Sequence, residues 1–148
     1  MKASYIDNYE TWASDFTFST QVRVRFSETD MYGHLNNTVP FTYFELARIE
    51  FFKSVKLSGW VGMEAPKNII VVADLQCDFL QQVFFDEQLT IYVKSAKVGS
   101  SSIDLHYLVK NEKEIPVFVG RGAIVQINKE TGKPAPWTEV ERQLLLGK

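Results

Sequence analysis

From Phe16 the chain alternates: Phe16, Phe18, Thr20, Val22, Val24 and Phe26 fall on one side of a period-two pattern and Thr17, Ser19, Gln21, Arg23 and Arg25 on the other. The pattern predicts a strand with one buried face. Four more strands are expected. Ile69, Val71, Ala73, Leu75, Cys77 and Phe79 share a face of the second; Leu89, Ile91 and Val93 mark the third. Ile103, Leu105, Tyr107 and Val109 mark the fourth, and the fifth runs from about Pro116 to Asn128. VGSSS and KNEKE are short and polar, so the last three strands read as consecutive antiparallel hairpins. On this pattern Ile70, Val72 and Tyr92 lie on the outer face of the sheet, and His106 lies on the polar face of its strand.

Between the first two strands the period changes. Phe41, Tyr43, Phe44, Leu46, Ala47, Ile49, Phe51, Phe52 and Val55 cover most of a helical cylinder, which is the pattern of a helix buried on most sides. Asn36, Asn37 and Thr38 offer caps. Pro40 suits a first turn, and the bias of pre-proline residues against the α region allows a start as late as Pro40. Gly59 closes the region. After the breaker-rich NKETGKPAPW, Thr138 and Glu141 are spaced as a capping box for a short helix at about 137–146. Residues 1–15 show no clear period and form an N-terminal extension, with Tyr5, Tyr9 and Trp12 as packing candidates. A helix apolar nearly all round requires a sheet that curls about it. The expected class is therefore α+β, one domain over 1–148 with a single central helix.

Composition narrows the function classes. The net charge of −2 and the lack of a basic run argue against nucleic acid as a partner. IIVVA and PVFVG, among the longest apolar runs, are far short of a membrane span. One cysteine, Cys77, excludes a disulfide framework, and two histidines make a structural zinc site an unfavoured reading. The start, MKASYIDNYE, has no apolar stretch of the secretory kind, so a cytoplasmic protein without metal or redox cofactor is expected.

The chemistry concentrates in SETDMYGHLNN, residues 27–37. Asp30 lies just before a helix N-terminus, where free N–H groups and the dipole favour negative charge. The same N–H groups can hold an oxyanion developing on a carbonyl. Gly33 would let a ligand approach the backbone, and Asn36 and Asn37 can cap the helix or orient water. A carboxylate beside an oxyanion hole suffices to hydrolyse an activated acyl group, with the carboxylate as general base or nucleophile. Turn and cap chemistry account for the same residues equally well on local grounds.

RFSETDMYGHLNNTVPFTYFELAR resembles the signature of the hotdog-fold thioesterases, specifically the 4-hydroxybenzoyl-CoA thioesterase-like branch. Asp30, Gly33 and Glu45, fifteen residues after the aspartate, match at the family spacing. GHLNN is also similar to a segment of the acyl-acyl-carrier-protein thioesterases, and the likeness spans about residues 16–146. It implies a curled antiparallel five-stranded sheet around one long helix. It implies hydrolysis of an acyl-CoA or acyl-carrier-protein thioester, with coenzyme A entering only as part of the substrate. It also implies a homodimer or homotetramer. Asp30 matches the catalytic carboxylate, Asn37 the position whose backbone N–H polarises the thioester carbonyl, and His34 a functional histidine of the carrier-protein branch. Two departures stand out: Tyr32 replaces an asparagine of that branch, and Asn37 stands where many bacterial relatives carry histidine.

Glu45 reads either as a carboxylate reaching the substrate or as a helix ion pair with Arg48. Lys97 with the serines Ser100, Ser101 and Ser102, Arg121, and Lys129 with Lys133 are candidates for the coenzyme A phosphates. Two other functions fit the same fold: a hydratase or dehydratase of enoyl thioesters, for which His34 and His106 are the only histidines, and a non-catalytic acyl-CoA binder.

Overall fold

The computed structural model describes residues 3–57 and 67–147. The elements are α1 (Tyr9–Ser14), β1 (Phe18–Arg23), α2 (Val39–Ser54), β2 (Asn68–Phe79), β3 (Gln88–Val98), β4 (Ser102–Lys110), β5 (Pro116–Asn128) and α3 (Glu139–Leu145), with a 3-10 turn at Phe26–Glu28. The five strands form one antiparallel sheet in the order β1-β3-β4-β5-β2. This sheet around a long helix is the hotdog fold.

The core lies between α2 and the sheet. Phe44 and Phe52 of the helix are fully buried against Leu89, Ile91, Tyr107, Val109 and Phe118. Phe44 stacks on Tyr107 at 4.3 Å and lies over Gly120, where a Cβ would come within 2.4 Å of its ring. A bare backbone at 120 therefore lets an aromatic helix rest on the sheet. α2 begins at Val39, within the expected range. Thr38 holds the N-cap position without a side-chain bond, while Asn36 Oδ1 accepts from the Thr38 N–H and hydroxyl. The helix ends in a Schellman arrangement: Lys56 has φ 61, Lys56 N–H donates to Lys53 and Leu57 N–H to Phe52. Gly59 lies outside the described residues. The Thr138–Glu141 capping box forms as expected.

Three expectations are corrected. The first strand stops at Arg23, and Phe26 is 76% exposed rather than part of the buried face. In β2 the register steps from Val72↔Ile124 to Asp74↔Ala123, a bulge at Ala73. Cross-strand partners share a face, so the bulge shifts the alternation by one. Ile70 and Val72 face α2 alongside Leu75, Cys77 and Phe79, and Ile70 packs on the core. The outer-face placement thus fails for Ile70 and Val72, whereas Tyr92 does point outward. Third, His106 turns away from α2 but is only 6% exposed. Residues 3–16 fold back over the outer face, where Ala3, Ile6 and Trp12 pack on Leu108 and Val119. Their helix, α1, is capped by the Asn8 side chain on the Thr11 N–H; at six residues it is too short to show a period.

Candidate active site

The loop from Glu28 to Thr38 is built almost entirely on Asp30. Asp30 N–H donates to the His34 carbonyl at 2.8 Å, and Gly33 N–H donates to the Asp30 carbonyl at 3.1 Å. Oδ1 of Asp30 accepts the Tyr32 N–H at 2.8 Å and the His34 N–H at 3.1 Å. The turn needs φ +80 at Gly33, and a Cβ there would meet nothing within 4 Å. Glycine is present for its backbone conformation, not to clear space. Two further bonds tie the loop down: Leu35 N–H donates to Val83 and Asn36 N–H to Glu28. Beneath it, the Tyr43 hydroxyl donates to Glu28 Oε1 at 2.8 Å, fastening the 3-10 turn to α2; burial, first, and that carboxylate push the phenol well above its usual range.

This anchoring leaves three groups unspent. Asp30 Oδ2, the His34 imidazole and the Asn37 N–H have no hydrogen-bond partner among the described residues. All three residues line one pocket of about 180 Å³, with Leu35, Phe79, Gln81, Gln82, Val83 and Phe118. Here Asn37 stands at the N-terminal end of the sixteen-residue α2, where the helix presents roughly half a positive charge. Three residues that each keep a polar group unspent among the described residues, one of them at a helix N-terminus, therefore line one apolar-walled cleft. Gln81 and Gln82 were not anticipated; the only sign of them in the sequence is a polar pair breaking the run between Leu80 and Val83.

The other candidates lie elsewhere. Asn36 spends its side chain on Thr38. Glu45 sits on the exposed side of α2, its carboxylate 3.5 Å from Arg48 Nη2. Arg121 is on the outer face, donating from Nε and Nη2 to Asp104 Oδ1 at 3.0 and 2.6 Å and from Nη1 to Asp74 at 3.2 Å. Lys97 and Ser101 flank the β3–β4 turn, at the end of the sheet opposite Asp30, roughly 30 Å away along the strands. His106 is closed off: Trp12 Nε1 donates to its Nδ1 at 2.8 Å, and its Nε2 lies 3.0 Å from Asp104 Oδ2. An indole only donates, so Nδ1 carries no proton and Nε2–H donates to Asp104. Burial, ahead of the opposing carboxylate, holds His106 below its ordinary pKa.

A larger cavity, about 760 Å³, opens at the far end of α2 between Trp12, Phe51, Lys94, Ser95, His106 and Leu145. Its charged groups are engaged: Lys94 donates to the Trp12 carbonyl and lies over the Trp12 and Phe16 rings. Volume alone favours this cavity, but the unspent carboxylate and helix terminus favour the smaller one.

Residues 24–145 match the model of the thioesterase-like superfamily. The chain belongs to that superfamily. It is 47% identical over 144 residues to the uncharacterized protein YsmA of Bacillus subtilis, covering 97% of this chain and 95% of that one. Among solved structures it is similar to a DHNA-CoA thioesterase from Staphylococcus aureus, with TM-score 0.75 and 25% identity over 80% of this chain and 78% of that one. A thioesterase from Thermus thermophilus complexed with coenzyme A and zinc aligns with TM-score 0.75 and 29% identity, covering 90% and 97%. Among the described residues of this thioesterase-like protein, no three His, Cys, Asp or Glu side chains group to hold a metal, and no helix is long and apolar enough to cross a membrane.

Proposed function

We propose that this protein hydrolyses acyl-CoA thioesters in the Asp30 pocket. The observation that carries the reading is that Asp30 and Asn37 line the same pocket, and that Asp30 Oδ2 and the Asn37 N–H have no partner among the described residues. Membership of the superfamily and likeness to a thioesterase complexed with coenzyme A support the substrate class.

The thioester carbonyl oxygen lies against the Asn37 N–H. Asp30 Oδ2 removes a proton from water as that water attacks the carbonyl carbon, or attacks the carbon itself to give a mixed anhydride that water then opens. In both routes negative charge grows on the carbonyl oxygen in the transition state, where the N–H and the α2 dipole stabilise it more than they stabilise the substrate. The tetrahedral species collapses with loss of the coenzyme A thiolate. Asp30 Oδ1, held by two N–H groups, keeps the reacting oxygen aimed. His34, which lines the same pocket with its ring edge-on to Phe84 at 5.0 Å, protonates the leaving sulfur in this reading.

A free sheet edge supports assembly into a homodimer. β2, twelve residues long, has β5 on one side and no strand on the other among the described residues. Phe79 and Leu80 at its end are 54% and 36% exposed. Such an edge requires cover, and a second copy pairing β2 to β2 supplies it. Lys97 and Ser101 can then serve a pocket only from another copy of the chain. Thiol release from a panel of acyl-CoA and aryl-CoA esters, with acyl-carrier-protein esters alongside, tests the function. No release from any of them by the folded protein would refute it.

A further inference from the structure

At 100° per residue, Phe41, Glu45, Arg48 and Phe52 share one flank of α2. The inward residues of β2 after the bulge are Leu75, Cys77 and Phe79, and the Asp30 pocket has Phe79 and Phe118 in its wall. From that wall a run of rings leads inward: Phe118 lies 5.9 Å from Phe44, and Phe44 stacks on Tyr107 at 4.3 Å.

At the end of this run the core holds an anomaly. Arg48 is only 8% exposed, on a helix otherwise packed with aromatic residues. Its Nη2 approaches Glu45 at 3.5 Å, but Nη1 is buried with no hydrogen-bond partner in good geometry among the described residues. The Tyr107 hydroxyl, fully buried, has no acceptor for its proton among the described residues. The two groups are neighbours: the Arg48 charge, and the approach of its guanidinium as a donor to the phenol oxygen, partly offset the burial that pushes the Tyr107 phenol up to about 12. A hydroxyl can accept from a guanidinium but a guanidinium accepts nothing, so the pair leaves buried donors short of an acceptor, which is rare in folded proteins, and asks what acceptor belongs there. Side chains lean toward the helix N-terminus, so the guanidinium lies roughly 11 Å along the axis from the level of Asn37. That is the span of a medium-length acyl chain held with its carbonyl at Asn37.

We propose that Arg48 and Tyr107 form the distal end of the acyl pocket and select acyl groups that carry a carboxylate at the end remote from the thioester. The inference rests on the Asp30 pocket being the thioester site. The carboxylate accepts from Arg48 Nη1 and from the Tyr107 hydroxyl, giving both buried donors a partner. Phe41, half-buried on the same flank and 6.2 Å from Phe44, stands between the reaction centre and the guanidinium. It is the ring the acyl chain displaces on entry.

The test compares matched coenzyme A thioesters of six to ten carbons, each plain fatty acyl ester against the dicarboxylic half-ester of the same length. The expected result is at least tenfold higher kcat/KM for the carboxylated member at one length within the series. That ratio falls to about one in Tyr107→Phe, which keeps the ring and its stacking on Phe44, and in Arg48→Met. Binding of the corresponding non-hydrolysable thioether pairs is measured in parallel by calorimetry, with Tyr107→Phe as the second variant should Arg48→Met fail to fold. Equal kcat/KM and equal affinity for the two members at every length overturn the inference and leave hydrolysis standing. A tenfold binding preference lost in Tyr107→Phe, with no thiol release, sustains the inference and overturns the hydrolytic reading instead.

Discussion

Two polar clusters occupy opposite faces of this sheet, and both contain an aspartate and a histidine. On the outer face Trp12, His106, Asp104, Arg121 and Asp74 form a chain in which each ring nitrogen, both Asp104 oxygens and the guanidinium have a partner. At the N-terminus of α2 Asp30 and His34 form a cluster in which Asp30 Oδ2, the imidazole and the Asn37 N–H have none among the described residues. The outer cluster has its hydrogen-bonding capacity filled by the protein and acts as a fastener for residues 3–16. The loop cluster is rigid at one oxygen and open at the other, which is what a group awaiting substrate and water requires. Residue type does not separate the two; the state of their hydrogen bonds does.

The comparison breaks first, if it is wrong, at Asp30. Asp30→Asn keeps an oxygen to accept the Tyr32 and His34 N–H groups but loses the base. Thioester hydrolysis should fall about 10²–10⁴-fold with little change in melting temperature. Near-wild-type turnover would move the chemistry elsewhere. The reverse pattern is expected of His106→Leu. Leaving the buried Trp12 N–H without an acceptor costs about 1–3 kcal/mol, read as a lower urea midpoint, while kcat stays as in the parent. A large loss of kcat at constant stability would show that the outer cluster takes part in the reaction.

Gly33→Ala tests whether the loop's shape matters. The added Cβ has room, so the cost is the left-handed backbone alone, about 1–2 kcal/mol. Turnover should fall with it, because the same turn aims Asp30; unchanged stability and turnover would show that the turn relaxes freely. The smallest effect expected is a pH dependence of stability. With the His106 pKa lowered in the folded state, the native protein binds fewer protons than the unfolded chain just below the unfolded value of about 6.5. Stability contributed by the neutral ring is therefore full above that pH. It declines as pH falls through the interval down to the native pKa. Urea midpoints from pH 8 to 5 should show this decline in the parent and not in His106→Leu; identical profiles would remove His106 as the cause.

Local pattern carried a good deal of the architecture. The span of β5, the α2 helix and the Thr138–Glu141 cap were all legible, because each depends on neighbours in the chain and on a period of two or 3.6. The Asp30 loop was legible as a place where chemistry could occur, through an acid just before a helix N-terminus and a resemblance to a family signature at Asp30, Gly33 and Glu45. It was not legible as a site, because turn chemistry predicts the same residues. What separates the readings is one carboxylate oxygen spent and the other free.

Elsewhere the pattern misled for identifiable reasons. A single extra residue at Ala73 moved Ile70 and Val72 to the opposite face from the one their alternation implied, since a strand's faces are set by its partner's register. His106 read as a solvent-facing polar residue because alternation reports which face it is on, not what covers that face; a six-residue helix distant in sequence supplies the cover. Arg48 read as a surface ion-pair partner, and only packing against Tyr107 placed its Nη1 in the core.

By itself the sequence determined the five strands, α2 and α3, their order and the loop in which an acid meets a helix N-terminus, because those properties are encoded within a few residues of one another. The tertiary structure alone decided which polar groups were satisfied and which remained free. A hydrogen bond between Trp12 and His106, or its absence at Asp30 Oδ2, depends on atoms that only the folded chain brings together.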